Sequence, residues 1–269
     1  MSSRLLHRET WSVGLPLLLA TLGLIGCSTL DQAVEPANPS VQISNWQIQT
    51  GNEITATPTG AVFLAGAMQI QGNQATGTFN THSVCGNPSL LSYTGTYNST
   101  TGALTLADAA VSAAPNVQLS VPSKQTTPST GSISALGQNC ALALGNTPAV
   151  GVEIPSLTGT YTGTLSSPAG VTGQATLSVT QSPTPNASAQ FPVNGSLFFA
   201  SSSGLCGDYA PVTGTISGAA YTLSSAVISQ DTISGASNVG GATLPGTTVV
   251  IADLCNARSA AYTGTLTKQ

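Results

Sequence analysis

Cys85-Gly86-Asn87, followed by Tyr93-Thr94-Gly95-Thr96-Tyr97 and Ala103-Leu104-Thr105-Leu106, returns later as Cys206-Gly207-Asp208, Val212-Thr213-Gly214-Thr215-Ile216 and Ala220-Tyr221-Thr222-Leu223. The offset is 121 at the cysteine (206 − 85), 119 at the Thr-Gly-Thr (213 − 94) and 117 at the closing Leu (223 − 106). Cys140 and Cys255 continue the series, as do Gly151 and Gly264. An offset that shrinks in small steps is what shortening loops between strands of fixed register produce, so the chain carries an internal duplication.

The residues around the duplicated stretch alternate with period two, which is the strand signature. In Thr160-Tyr161-Thr162-Gly163-Thr164-Leu165 the Tyr, Gly and Leu face one way and the threonines the other. Tyr262-Thr263-Gly264-Thr265-Leu266 repeats this at the C-terminal end, and Trp46-Gln47-Ile48 echoes it near the start. Thr101-Gly102 and Ser217-Gly218 are expected to turn the duplicated hairpin. Asn194-Gly195 reads as a two-residue hairpin, because both turn positions favour positive φ, and Gly72-Asn73 takes the matching place in the first repeat. No helical stripe follows the N-terminal segment.

Short strands at close intervals with Gly, Asn and Ser turns predict an all-β chain. The first repeat is expected over 41–154 and the second over 157–267, with Pro155-Ser156 as the hinge. Each has about 110 residues, room for about eight short strands around one core. First and last strands of each repeat bear the same alternation, and pairing them would remove the exposed edges. The fold class expected is therefore two tandem antiparallel up-and-down β-barrels, with β-sandwiches as the alternative. In this respect the repeats are similar to small lipocalin-like barrels: Leu157-Thr158-Gly159-Thr160-Tyr161 stands where those barrels carry a Gly-x-Trp first strand, with Tyr in place of Trp and without their N-terminal helical turn.

Upstream, Arg4, His7 and Arg8 precede an apolar run from Val13 to Ile25, which is shorter than the roughly 20 residues of a spanning helix and is interrupted by Pro16. This is the layout of an export signal. Leu24-Ile25-Gly26-Cys27 resembles the lipobox of bacterial lipoproteins. The resemblance implies a signal peptide over 1–26, removal before Cys27 and diacylglyceryl modification of that cysteine. Ser28, where retention in the inner membrane would favour Asp, implies the outer membrane. Two or more acyl chains suffice for stable anchoring, each buried methylene contributing about 0.8 kcal/mol. The polar stretch 27–40, with Pro36 and Pro39, then reads as a lipidated flexible tether.

From Cys27 onward only Lys124, Arg258 and Lys268 face eight acidic residues, a net charge of 3 − 8 = −5. The basic footprint of a nucleic-acid-binding protein is missing. Cys85, Cys140, Cys206 and Cys255 remain once Cys27 is lipidated, an even number suited to an oxidising compartment. The duplication selects the pairs Cys85–Cys140 and Cys206–Cys255 out of three possible connectivities. Loops of this length would give about 4 kcal/mol per bridge in the chain-entropy account. No Cys-x-x-Cys spacing points to zinc, and His82 is the only histidine after Cys27. That lone histidine, in a polar stretch, reads as a solvated loop residue.

The second pairing would draw Asp208 and Asp253 together, with Arg258 in reach. Two carboxylates and a cation suit glycoside hydrolysis or a calcium ion, but a surface ion pair beside a disulfide explains them as well. The first repeat has Asn87 and Gln138 at those places. There is no Gly-x-Ser-x-Gly elbow and no phosphate-cradling glycine loop, so neither nucleophilic catalysis nor a cofactor is expected. Pro122–Pro128 and Gln181–Asn186 read as loop insertions confined to one repeat each. The functional expectation is a non-enzymatic envelope lipoprotein acting as a structural, adhesion or binding module toward a protein or glycan. Alternatives are a carrier of a small apolar ligand in a barrel interior and a carbohydrate-active enzyme using Asp208 and Asp253.

Overall fold

The computed structural model describes residues 41–53, 62–83, 86–108, 110, 116–122, 128–135, 144–202, 207–225, 232–237, 241–251 and 260–269. They form sixteen strands and no helix. The first repeat contains β1 (Val41–Thr50), β2 (Val62–Gln71), β3 (Gln74–Ser83), β4 (Gly86–Asn98), β5 (Ala103–Ala107), β6 (Asn116–Ser120), β7 (Ser129–Ala135) and β8 (Leu144–Ile154). The second contains β9 (Gly159–Ser166), β10 (Thr172–Gln181), β11 (Phe191–Ser201), β12 (Gly207–Ser217), β13 (Ala220–Ser225), β14 (Thr232–Ala236), β15 (Thr243–Ile251) and β16 (Ala260–Lys268). Within each repeat every strand pairs antiparallel with its neighbours in sequence, β1 closes on β8 and β9 closes on β16. Both repeats are thus closed eight-stranded up-and-down barrels rather than sandwiches, and closure leaves no sheet edge along the paired registers.

Alternation decides what fills them. Trp46, Ile48, Leu64, Phe79, Tyr93 and Leu106 belong to one buried cluster in the first barrel, and Tyr161, Leu165, Phe191, Ile216, Tyr221 and Leu266 to one in the second. The outward positions carry hydroxyls that pair across strands: Thr96 with Thr105 at 3.0 Å, Thr160 with Ser178 at 3.0 Å and Thr248 with Thr263 at 3.2 Å. The duplicated Thr-Gly-Thr has a steric cause. A Cβ at Gly95 would stand 1.7 Å from the Thr105 carbonyl oxygen, and one at Gly214 would stand 2.0 Å from that of Thr222. Only glycine lets the following strand cross so closely.

Gly102 and Gly218, at φ of 74° and 57°, turn the duplicated hairpin as expected. Asn194-Gly195 does not turn. β11 runs straight through it, pairing Asn194 with Thr180 and Thr213, and Gly195 with Val179 and Val212. Neither residue has positive φ, and Gly195 is required because a Cβ there would lie 2.0 Å from the Ser178 carbonyl oxygen. The strand reverses instead across 182–190, where the Asn186 side chain accepts from the amides of Ser188 (2.9 Å) and Gln190 (3.0 Å) and Ala189 takes a φ of 59°. Gly72, at φ 61°, does make the tight β2–β3 turn. Ala75 opposite Gly95 therefore corresponds to Val193 opposite Gly214, and Asn73 has no counterpart at 194.

The barrels dock. Gln47 points outward between inward Trp46 and Ile48, yet is only 2% exposed, because the 182–190 and 218–219 turns of the second barrel cover it. Its Nε2 donates to the Ala189 carbonyl (2.6 Å) and Ser217 Oγ (3.0 Å), and its Oε1 accepts from the Gly218 amide at 2.7 Å. Asn45 and Asn80 donate to the carbonyls of Ser182 and Pro185 on either side. Ala65 and Ile154, on the same wall, join the apolar cluster of the second barrel, with Phe63 and Val152 packed against it. Pro155-Ser156 links the barrels between buried Ile154 and Leu157.

Burial pushes the Tyr93 and Tyr221 phenols up to about 12, against hydrogen bonds from Thr81 and Thr247 that lower them. The unfolded chain releases these protons first, near 10.0, so stability falls as pH rises from 10 toward 12. Denaturant unfolding across that window should show the decline, and the double variant Tyr93→Phe, Tyr221→Phe should flatten it. An unchanged slope would contradict this placement of the phenols.

Candidate functional site

Cys27, Cys85, Cys140, Cys206, Cys255, Asp253 and Arg258 all lie outside the described residues. Asp208 is described by its backbone alone, opposite Phe199 in the β11–β12 register. Phe198 and Tyr209 face each other across β11 and β12 as exposed side chains on the outer wall. His82 is not in a loop: it lies in β3 opposite Phe63 and stacks on it at 4.8 Å, beside the docking face. That contact could be read only once the β2–β3 register was in hand. Among the described residues no three His, Cys, Asp or Glu gather as a metal site.

The structure builds a different candidate. Where β1 and β8 part, beside the second barrel, lies a cleft of about 400 Å³ lined by Ser44, Asn45, Trp46, Ser129, Val152, Glu153, Gln181 and three prolines, among others. Glu153 follows Ala149 and Gly151 on the inward phase of β8, opposite Trp46 of β1. Trp46 Nε1 donates to Ser44 Oγ at 2.9 Å, and the side chains of Ser44 and Gln42 donate to the Glu153 carboxylate. Desolvation nevertheless dominates and raises Glu153 above its ordinary value of 4.5, the two hydrogen bonds opposing it.

Across the cleft, Gln181 ends the inward phase of β10 after Leu177 and Val179 and is 8% exposed. Its Oε1 accepts from the Leu157 amide at 2.8 Å, which fixes the side-chain orientation. Its Nε2 has no partner among the described residues. Sequence reading missed Glu153 and Gln181, although each is a polar residue in the inward phase of an otherwise apolar strand. A second cleft of about 370 Å³, at Phe63, His82, Leu90 and Asn186, also borders the docking face.

No protein family matches this chain, and no match was found among curated proteins or solved structures.

The raised Glu153 carboxyl sets a pH dependence. The unfolded chain ionises first, near 4.5, so stability declines as pH rises from there through the raised folded value and the loss is complete above it. Glu153→Gln should remove that decline and raise the unfolding midpoint at neutral pH relative to the native chain. A variant less stable at neutral pH would contradict the reading.

Proposed function

We propose that this chain is a non-enzymatic cell-envelope lipoprotein, anchored by acylated Cys27, whose two docked barrels serve as a rigid binding module exposed at the outer membrane. The observation that carries the reading is the phase of the barrels. Barrels that cross a bilayer turn apolar side chains outward and line their lumen with polar ones. Here the apolar side chains fill the interiors and Thr and Ser hydroxyls face outward. Such a surface belongs in water, so attachment to a membrane falls to the acyl chains at Cys27.

The filled interiors also favour recognition on the outer walls and at the barrel junction over carriage of an apolar ligand inside. Fully buried Leu266 and Leu165 pack against Gly163 and Gly264, so the small residues are partnered by large ones rather than opening space. The exposed Phe198 and Tyr209 lie on the outer wall, as a surface-binding module would carry them.

Membrane-extracted protein should carry a blocked, lipid-bearing N-terminus at Cys27 by mass spectrometry, and Cys27→Ser should release the barrels into the soluble fraction. An unmodified Cys27 within a longer or shorter chain would overturn the anchoring.

A further inference from the structure

The outer wall of the second barrel carries an apolar platform, and we infer that Phe198, Tyr209 and Pro211 stack the rings of an extended neutral glycan whose hydroxyls meet Thr176 and Ser196. The assignment rests on the surface-binding reading above and names the class of molecule bound.

Register builds the platform. On β11, buried Leu197 and Phe199 turn Ser196 and Phe198 outward; on β12, buried Ala210 and Val212 turn Tyr209 and Pro211 outward. Thr176 of β10 lies opposite Phe198, and Phe198 opposite Tyr209, so one row across three strands reads Thr176, Phe198, Tyr209. The next row reads Ser178, Ser196, Pro211. Phe198 is 43% exposed and Tyr209 66%. The scaffold does not require these rings. The register that matches Ala75 with Val193 puts Asn80, Leu90 and Ser92 of the first barrel where the second has Phe198, Tyr209 and Pro211. In the first barrel Asn80 serves the joint, donating to the Pro185 carbonyl. In the second, the matching place presents a ring to solvent.

Size selects the occupant. The exposed parts of the two rings amount to about 200 Å². A stable protein partner covers about 800 Å² per side, over half of it apolar. Stacked sugar rings need far less. Opposite side chains on neighbouring strands stand about 5 Å apart, the scale of one pyranose ring. Consecutive units of a glycan laid across the strands would thus meet Tyr209, Phe198 and Thr176 in turn. The C–H face of a sugar carries slight positive charge, which suits the negative face of an aromatic ring. Hydroxyls at the ring edge suit those of Thr176 and Ser196, which both donate and accept.

The test titrates the full-length chain with cellohexaose and chitohexaose by calorimetry and follows the amide resonances of Thr176, Phe198 and Tyr209. At least one hexasaccharide should bind and shift those three amides. Its monosaccharide should bind about tenfold more weakly or worse, because it covers a single ring of the platform. Phe198→Ala and Tyr209→Ala should each weaken binding about tenfold, whereas Tyr209→Trp, which keeps an aromatic face, should retain it. Both side chains are exposed, and thermal unfolding of each variant establishes that it is folded. Binding that neither alanine variant weakens would place the glycan elsewhere, overturning the platform while leaving the surface-binding reading intact. No binding by either hexasaccharide would overturn the glycan itself. Capture of a protein in intact cells by a photocrosslinker in place of Tyr209 would likewise overturn the glycan, in favour of a protein partner, and keep the surface-binding reading. The anchoring at Cys27 is independent of all three results.

Discussion

Gln47 holds the two barrels in one arrangement. A polar residue on the outward phase of a strand normally faces water, and here it is covered by the end of another domain with its amide engaged on both sides. Fully satisfied, a buried amide of this kind specifies geometry, because any other docking angle would strand donors and acceptors in a dry interface. The apolar contribution is spread over Phe63, Ala65, Val152 and Ile154, which would tolerate sliding. The directional bonds to Ala189 and Gly218 would not. Without this arrangement the cleft between Glu153 and Gln181 would not exist, since its walls belong to different barrels.

The duplication made the second barrel without reproducing the docking. Gln47 lies on β1 of the first barrel, while the groups it binds lie at the end of β12 and in turns of the second, one of them in the long 182–190 connection that replaces the tight Gly72-Asn73 turn. Lengthening that turn after duplication would supply a surface that reaches the neighbouring wall. Ser182, Pro185 and Ala189 of this connection all accept from side chains of the first barrel. The segment Gln181–Asn186, which reads as a tolerated surface insertion, is thus part of the joint.

Most of the fold was legible because alternation is a local property. Tyr161-x-Gly163-x-Leu165 states the inward phase of its strand directly, and like alternation at the first and last strands points to closure. Asn194-Gly195 misled because the same dipeptide satisfies two different demands: positive φ in a turn, or the absence of a Cβ where strands crowd. Only the neighbouring Ser178 carbonyl decides between them, and it is remote in sequence. The site was less legible still. Phase gives Glu153 and Gln181 away as polar residues turned inward, but not that their two barrel mouths come together. The cysteines stand out by duplication, which marks scaffold, and Asp208 by its place beside one of them, whereas the cleft arises from residues that differ between the repeats.

The central claim is that both barrels form one rigid body through Gln47. Residual dipolar couplings of strand amides in the two barrels measure their relative orientation directly. The account predicts one alignment tensor common to β1–β8 and β9–β16 in the native chain, and two distinct tensors in a Gln47→Leu variant whose barrels remain folded. Two independent tensors in the native chain would contradict it.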